Sequence, residues 1–124
     1  MKILFIGDVV GSPGRIAITK LVPALKKELD LSFVIANAEN IAGGSGITPS
    51  TVKELFDAGV NVLTSGDHIW KKAGTQELIN SDDRIIRPAN YPSGAPGAGW
   101  NLFNLNNLKV GVVNVNGRVF MDPI

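Results

Sequence analysis

Short apolar runs that stop at glycine or polar residues punctuate the first half of the chain. Ile3–Ile6 gives way to Gly7-Asp8, residues 33–36 to Asn37-Ala38-Glu39-Asn40, and residues 60–65 to Gly66-Asp67-His68. Runs of this length bounded by turn formers predict strands, and an unbroken one such as Ile3–Ile6 reads as a parallel strand buried on both faces. Between the runs the period changes to that of a helix. Ile18, Leu21, Val22, Leu25 and Leu29 recur at three- and four-residue steps and predict a helix over 15–29 with these residues on one face. Pro23 lies inside it and predicts a kink, or a break followed by a second helical piece. Thr48-Pro49 supplies a cap and a first-turn proline for a helix through Val52, Leu55 and Phe56, which Gly59 ends. One or two helical turns are expected over 75–79, and Ile85-Ile86 fits a short fourth strand.

Strand, helix, strand, helix, strand is the signature of βαβ units, so the expected fold class is α/β with a layered, mostly parallel sheet. The tail differs. After a Pro/Gly-rich loop over 88–99, the segments 100–105 and 109–115 flank Asn106-Asn107-Leu108 and predict a carboxy-terminal antiparallel hairpin. The last five residues, Phe120 to Ile124, are apolar without the polar fading of a domain end, as in a chain that is cut there.

At 124 residues and 44% hydrophobic the chain is long enough for one domain and too short for two. A formal net charge of +1, with lysines in pairs and not in patches, gives no strong nucleic-acid signal. Zero cysteines exclude disulfides, iron–sulfur clusters and thiolate zinc sites. Only four apolar residues follow Met1-Lys2 before Gly7, and no run is long enough to span a bilayer, so no membrane association and a cytoplasmic location are expected.

Chemistry gathers at the three strand ends, where open α/β sheets collect their ligands. Asp8, Glu39 with Asn40, and Asp67 with His68 would meet at one sheet edge. Like charges brought together there need a proton, a base or a cation, and a metal is the simplest compensation. Carboxylate and amide oxygens with one imidazole suit Mn, Fe or Mg, and two metals sharing a carboxylate can clamp both the attacking and the leaving oxygen of a phosphate ester. Each residue also has a plainer reading: acids after strands cap helices, Glu39-Asn40 fits a solvated loop, His68 beside Trp70 fits ordinary packing, and Asn90, Asn114 and Arg118 fit ladder ends and turns. Competing motifs fail. Gly44-Ser45-Gly46 meets Pro49 where a dinucleotide fingerprint needs its third glycine. Residues 7–14 lack the Gly-Lys-Ser/Thr ending of a phosphate loop, and Val9 stands where a strand-end serine nucleophile would be.

Five motifs then fall in order: Gly7-Asp8-Val9-Val10-Gly11; Asn37-Ala38-Glu39-Asn40 with Gly43-Gly44; Gly66-Asp67-His68; Arg87-Pro88-Ala89-Asn90-Tyr91-Pro92; and Asn114-Val115-Asn116-Gly117-Arg118. Together they make the chain resemble the YmdB-type branch of the calcineurin-like metallophosphoesterases nearly end to end. The resemblance implies a metallophosphoesterase-type sheet and hydrolysis of phosphodiesters such as 2′,3′-cyclic nucleotides at a dinuclear centre. Fe or Mn are the favoured ions, with Mg an option. It also implies roles: Asp8 and Asn40 on the first metal, Glu39 bridging, Asp67 on the second, and His68 as proton donor. This chain departs from the family at Asp67, where Asn is usual, and the added charge should alter metal affinity and weaken attraction of an anionic phosphate. The family also completes its centre with histidines from a later half, whereas this chain has one histidine. The expectation is therefore an amino-terminal half that acts on a small phosphodiester or nucleotide. The alternative is a catalytically inactive metal- or phosphate-binding module, with homo-oligomers forming through the face that the missing half would cover.

Overall fold

A computed structural model describes residues 1–119. Four strands, β1 (Ile3–Ile6), β2 (Phe33–Asn37), β3 (Val62–Thr64) and β4 (Ile85–Ile86), form one sheet in the order β1-β2-β3-β4, every pair parallel. Helices α1 (Gly11–Glu28), α2 (Pro49–Asp57) and α3 (Thr75–Ser81) make the crossovers. All three pack on one face of the sheet, around Ile18, Val22, Val34, Leu55, Leu63 and Ile79. The opposite face of β2 to β4 is covered by the antiparallel hairpin of β5 (Trp100–Leu105) and β6 (Leu108–Val113). There Phe33, Ile35, Val62 and Ile86 meet Val110, Val112 and Phe103, the two phenylalanine rings 5.7 Å apart. The expected α/β class, parallel sheet and terminal hairpin are all present. No helix among the described residues is long and apolar enough to cross a membrane.

Several local expectations need correction. Ile3–Ile6 is not buried on both faces: β1 closes the sheet, and the hairpin stops short of it. Leu4 and Ile6 pack toward α1, whereas Ile3 and Phe5 on the other face are 43% and 59% exposed. Helix α1 begins at Gly11, four residues early, and runs unbroken through Pro23. The carbonyl that Pro23 deprives of a partner belongs to Thr19, and both residues face solvent, where water can take the bond. Its apolar face is narrower than the periodicity predicts. Ile18 and Val22 are buried, but Leu21 and Leu29 are not, because no element lies beyond β1 to cover them. Leu21, Leu25, Phe5 and Ile6 instead line an open groove of about 390 Å³. The third strand is shorter than residues 60–65, and Asp67-His68 lies not in open loop but in a 3-10 turn, Asp67–Trp70.

Elsewhere local chemistry explains the elements directly. Thr48 caps α2 through the Thr51 amide while Thr51 Oγ1 accepts from the Thr48 amide, a reciprocal capping box with Pro49 at the first helical position. Asn106 takes φ +53°, the left-handed conformation that its turn requires and that Asn tolerates. The apolar end over 120–124 lies outside the described residues.

Candidate metal centre

The carboxyl ends of β1, β2 and β3 deliver the candidate residues to one sheet edge, as parallel register dictates. The Val9 amide donates to the Asn37 carbonyl at 3.0 Å and the Ala38 amide to the Thr64 carbonyl at 2.8 Å, which locks the three strand-end loops side by side. The loop after β2 then doubles back on itself. The Gly46 amide bonds the Glu39 carbonyl at 2.5 Å, and those of Gly11 and Gly44 bond the Asn40 carbonyl at 2.9 and 3.1 Å. Gly44 and Gly46 hold φ of +91° and +79°, values a side chain rarely permits, so the glycine-rich composition is what lets this loop tighten.

One ligand atom each from Glu39, Asp67 and His68 lies within 4.8 Å of the other two. Asp8 and Asn40 join them by hydrogen bonds. Asn40 Nδ2 donates to Asp8 Oδ1 at 2.7 Å, and Asn40 Oδ1 lies 2.6 Å from His68 Nδ1. An ionised carboxylate only accepts, so the amide nitrogen faces Asp8, its oxygen faces the imidazole, and His68 Nδ1 carries the proton. His68 Nε2 is left turned toward Asp67, 3.8 Å from Oδ2. Asp8 holds its position with φ +33°, a conformation that L residues seldom adopt and that recurs at functional sites.

Five polar side chains thus gather as the strand-end pattern predicts, although Asp8 reaches the cluster through Asn40 and not directly. Among the described residues, Asp8, Glu39 and Asp67 form no ion pair with lysine or arginine; the cationic pairs are Arg15–Glu54, Lys53–Asp57 and Arg84–Asp82. Converging carboxylates without a protein cation, beside an amide oxygen and an imidazole, fit a hard or borderline divalent metal. Next to them, at the end of β2, Asn37 Oδ1 is buried without a partner.

Three further residues shape this edge and were not singled out as site residues by sequence pattern. Tyr91 follows β4, and its ring stands edge-on to Trp70 with centroids 5.9 Å apart. Burial raises its hydroxyl above the usual phenol range, the Trp70 indole opposes this, and the charges of Asp67 and Glu39 add to the rise, which places Tyr91 beside the acidic cluster. The strand-end rule applied to Ile85-Ile86 could have found it. Its loop is held by Arg87, buried, whose guanidinium donates to the carbonyls of Pro88 and Pro96 at 2.8 and 3.1 Å. Asn114 is more than a ladder end: Nδ2 reaches the Ser65 carbonyl at 2.6 Å and ties the hairpin to the strand that presents Asp67. Asn90 likewise pairs reciprocally with the Asn116 backbone. Gly66 is the third, its bare Cα lying against the Glu39 carboxylate.

The sequence model for YmdB-like proteins matches residues 4–124. The chain belongs to the YmdB-like family. Its whole length is 41% identical to a Bacillus subtilis (strain 168) protein named 2′,3′-cyclic-nucleotide 2′-phosphodiesterase, of which it covers 47%. Solved structures agree. A YmdB-like fold is shared with a hypothetical protein from Thermus thermophilus at TM-score 0.93 and 36% identity, over 99% of this chain and 48% of that one. A Mycoplasma pneumoniae phosphatase superposes at TM-score 0.87 with 33% identity, over 94% of this chain and 43% of that one. The chain spans about half the length of the curated relatives it matches.

Proposed function

We propose that this chain is the amino-terminal half of a metal-dependent phosphodiesterase that acts on 2′,3′-cyclic nucleotides or related phosphodiesters. The observation that carries the proposal is the convergence of Glu39, Asp67 and His68, with Asn40 linking them to Asp8. Glu39 would bridge two ions, Asp8 and Asn40 would serve one, and Asp67 the other, with Fe or Mn preferred to Mg. Bound metals would supply a nucleophile at neutral pH and neutralise charge on the phosphate. The chain's own contribution is orientation. Asn40 holds the His68 ring by Nδ1, which frees Nε2 to give a proton to the leaving oxygen, and Asp8 in turn fixes the amide. The name of the Bacillus subtilis relative supports the substrate class.

A second reading follows from the coverage: alone, the chain is a metal-binding half whose catalysis waits for the remainder, or a second copy of itself, to cover the open groove between β1 and α1. Two measurements test these ideas. Calorimetric titration with Mn²⁺ should give micromolar binding that Glu39→Ala abolishes. Turnover of 2′,3′-cyclic AMP, with the complementary half supplied, should be lost on His68→Ala. Absence of Mn²⁺ binding refutes the centre; binding without turnover leaves the second reading.

A further inference from the structure

Gly66 sits between β3 and the turn that carries Asp67 and His68, and nothing in its backbone asks for glycine. Its φ is −147°, on the side of the map open to L residues. What surrounds it does. A Cβ at this buried position would fall 2.6 Å from Cδ and 2.7 Å from Oε1 of Glu39, with Oε2 nearer still. Real Cβ atoms do not approach others so closely, and every atom within the clash belongs to one carboxylate group. The Glu39 carboxylate therefore lies flat on the bare Cα of Gly66, and the His68 amide points at its Oε2 from 3.4 Å. Glu39 is half-buried and its carboxylate is the far end of a flexible side chain, so a methyl group at residue 66 can be accommodated by swinging the carboxylate away while the sheet stays in place.

We propose that Gly66 is a positioning residue for the metal centre: its missing side chain is the seat that holds the Glu39 carboxylate between the ends of β1 and β3. This inference rests on the metal-centre reading above for its functional meaning, and on the steric fit alone for its structural meaning. A neighbouring glycine that only eased a turn would predict loss of stability and no selective effect on metal. A seat for Glu39 predicts the reverse ordering.

The test is a double-mutant cycle on the full chain with Gly66→Ala, Glu39→Ala and the pair, read by Mn²⁺ calorimetry and by thermal unfolding in EDTA. Gly66→Ala is expected to weaken Mn²⁺ at least tenfold while the circular dichroism spectrum is retained. In EDTA its thermal midpoint should fall relative to the parent, and the same substitution should cost less when Glu39 is already alanine, because the clash has lost its partner. Unchanged Mn²⁺ affinity in Gly66→Ala, or an equal loss of midpoint in both backgrounds, overturns the proposal. If Gly66→Ala does not fold, folding of the pair supports the seat, and failure of the pair as well overturns it. If the parent binds no Mn²⁺, the metal reading fails by itself, and the EDTA cycle decides the seat independently.

Discussion

Asp67→Asn separates the electrostatic cost of the bare site from its affinity for metal. The Asp67 and Glu39 ligand atoms lie within 4.8 Å. Two unit charges at that distance repel by about 0.9 kcal/mol in water and about 3.5 kcal/mol at an effective dielectric of 20. The Asp67 side chain is 49% exposed, so the effect belongs near the lower limit, about 1 kcal/mol. Asparagine keeps the shape and hydrogen-bonding reach of the side chain at the start of the 3-10 turn and removes only the charge. In EDTA at pH 8, where imidazole protonation does not enter the comparison, the variant should therefore be more stable, with a midpoint raised by about 3–6 °C for a chain of this size. In saturating Mn²⁺ the order should change. Loss of an anionic ligand that weakens affinity about tenfold removes about 1.4 kcal/mol of metal-linked stabilisation, enough to cancel the gain. Thermal unfolding under the two conditions reads both numbers. A variant less stable than the parent in EDTA, or equally stabilised with and without Mn²⁺, would refute the picture of an acidic cluster that a cation relieves.

Two further outcomes follow from contacts outside the cluster. Asn114→Ala removes the donor to the Ser65 carbonyl and should cost about 1–2 kcal/mol in urea unfolding, since that carbonyl loses its bond while the Ile86 carbonyl keeps Ser65 Oγ; a change below about 0.5 kcal/mol would contradict the tether. Asp82 is held below the usual carboxylate range by its hydrogen bonds to Arg84, whose guanidinium also lies 3.8 Å over the Phe56 ring. A depressed folded-state pKa contributes stability above the unfolded value near 3.9 and loses it as pH falls through the lower folded value. Asp82→Asn should thus cost up to about 1 kcal/mol at pH 6, discounted for solvent and salt, and nothing below about pH 2, as measured by urea titrations across that range.

How much of this was legible in the sequence depends on the range of the interactions. Strand and helix order, the capping box at Thr48, the Asn turn of the hairpin and the gathering of Asp8, Glu39, Asn40, Asp67 and His68 all follow from local chemistry plus one rule, that parallel strands end at the same edge. Side-chain period and turn residues act over a few positions, so they can be read along the chain. Coverage cannot. An apolar run looks the same whether both its faces are packed or one is bare, and only the sheet order made β1 an edge with Phe5 exposed and Leu21 uncovered. Pro23 could remain in α1 because the fold turned Thr19 to solvent, a fact of tertiary placement. Likewise Asn114 on Ser65, Tyr91 beside Trp70 and the Glu39 carboxylate on Gly66 join positions 21 to 49 residues apart, contacts that exist only once packing has offset the entropy of bringing those segments together. Residue types along the chain were enough to say which groups could do chemistry and at which edge they meet. Which atom of each faces which was left to the packed fold, because distance and orientation between strand ends are set by the sheet and not by any one strand.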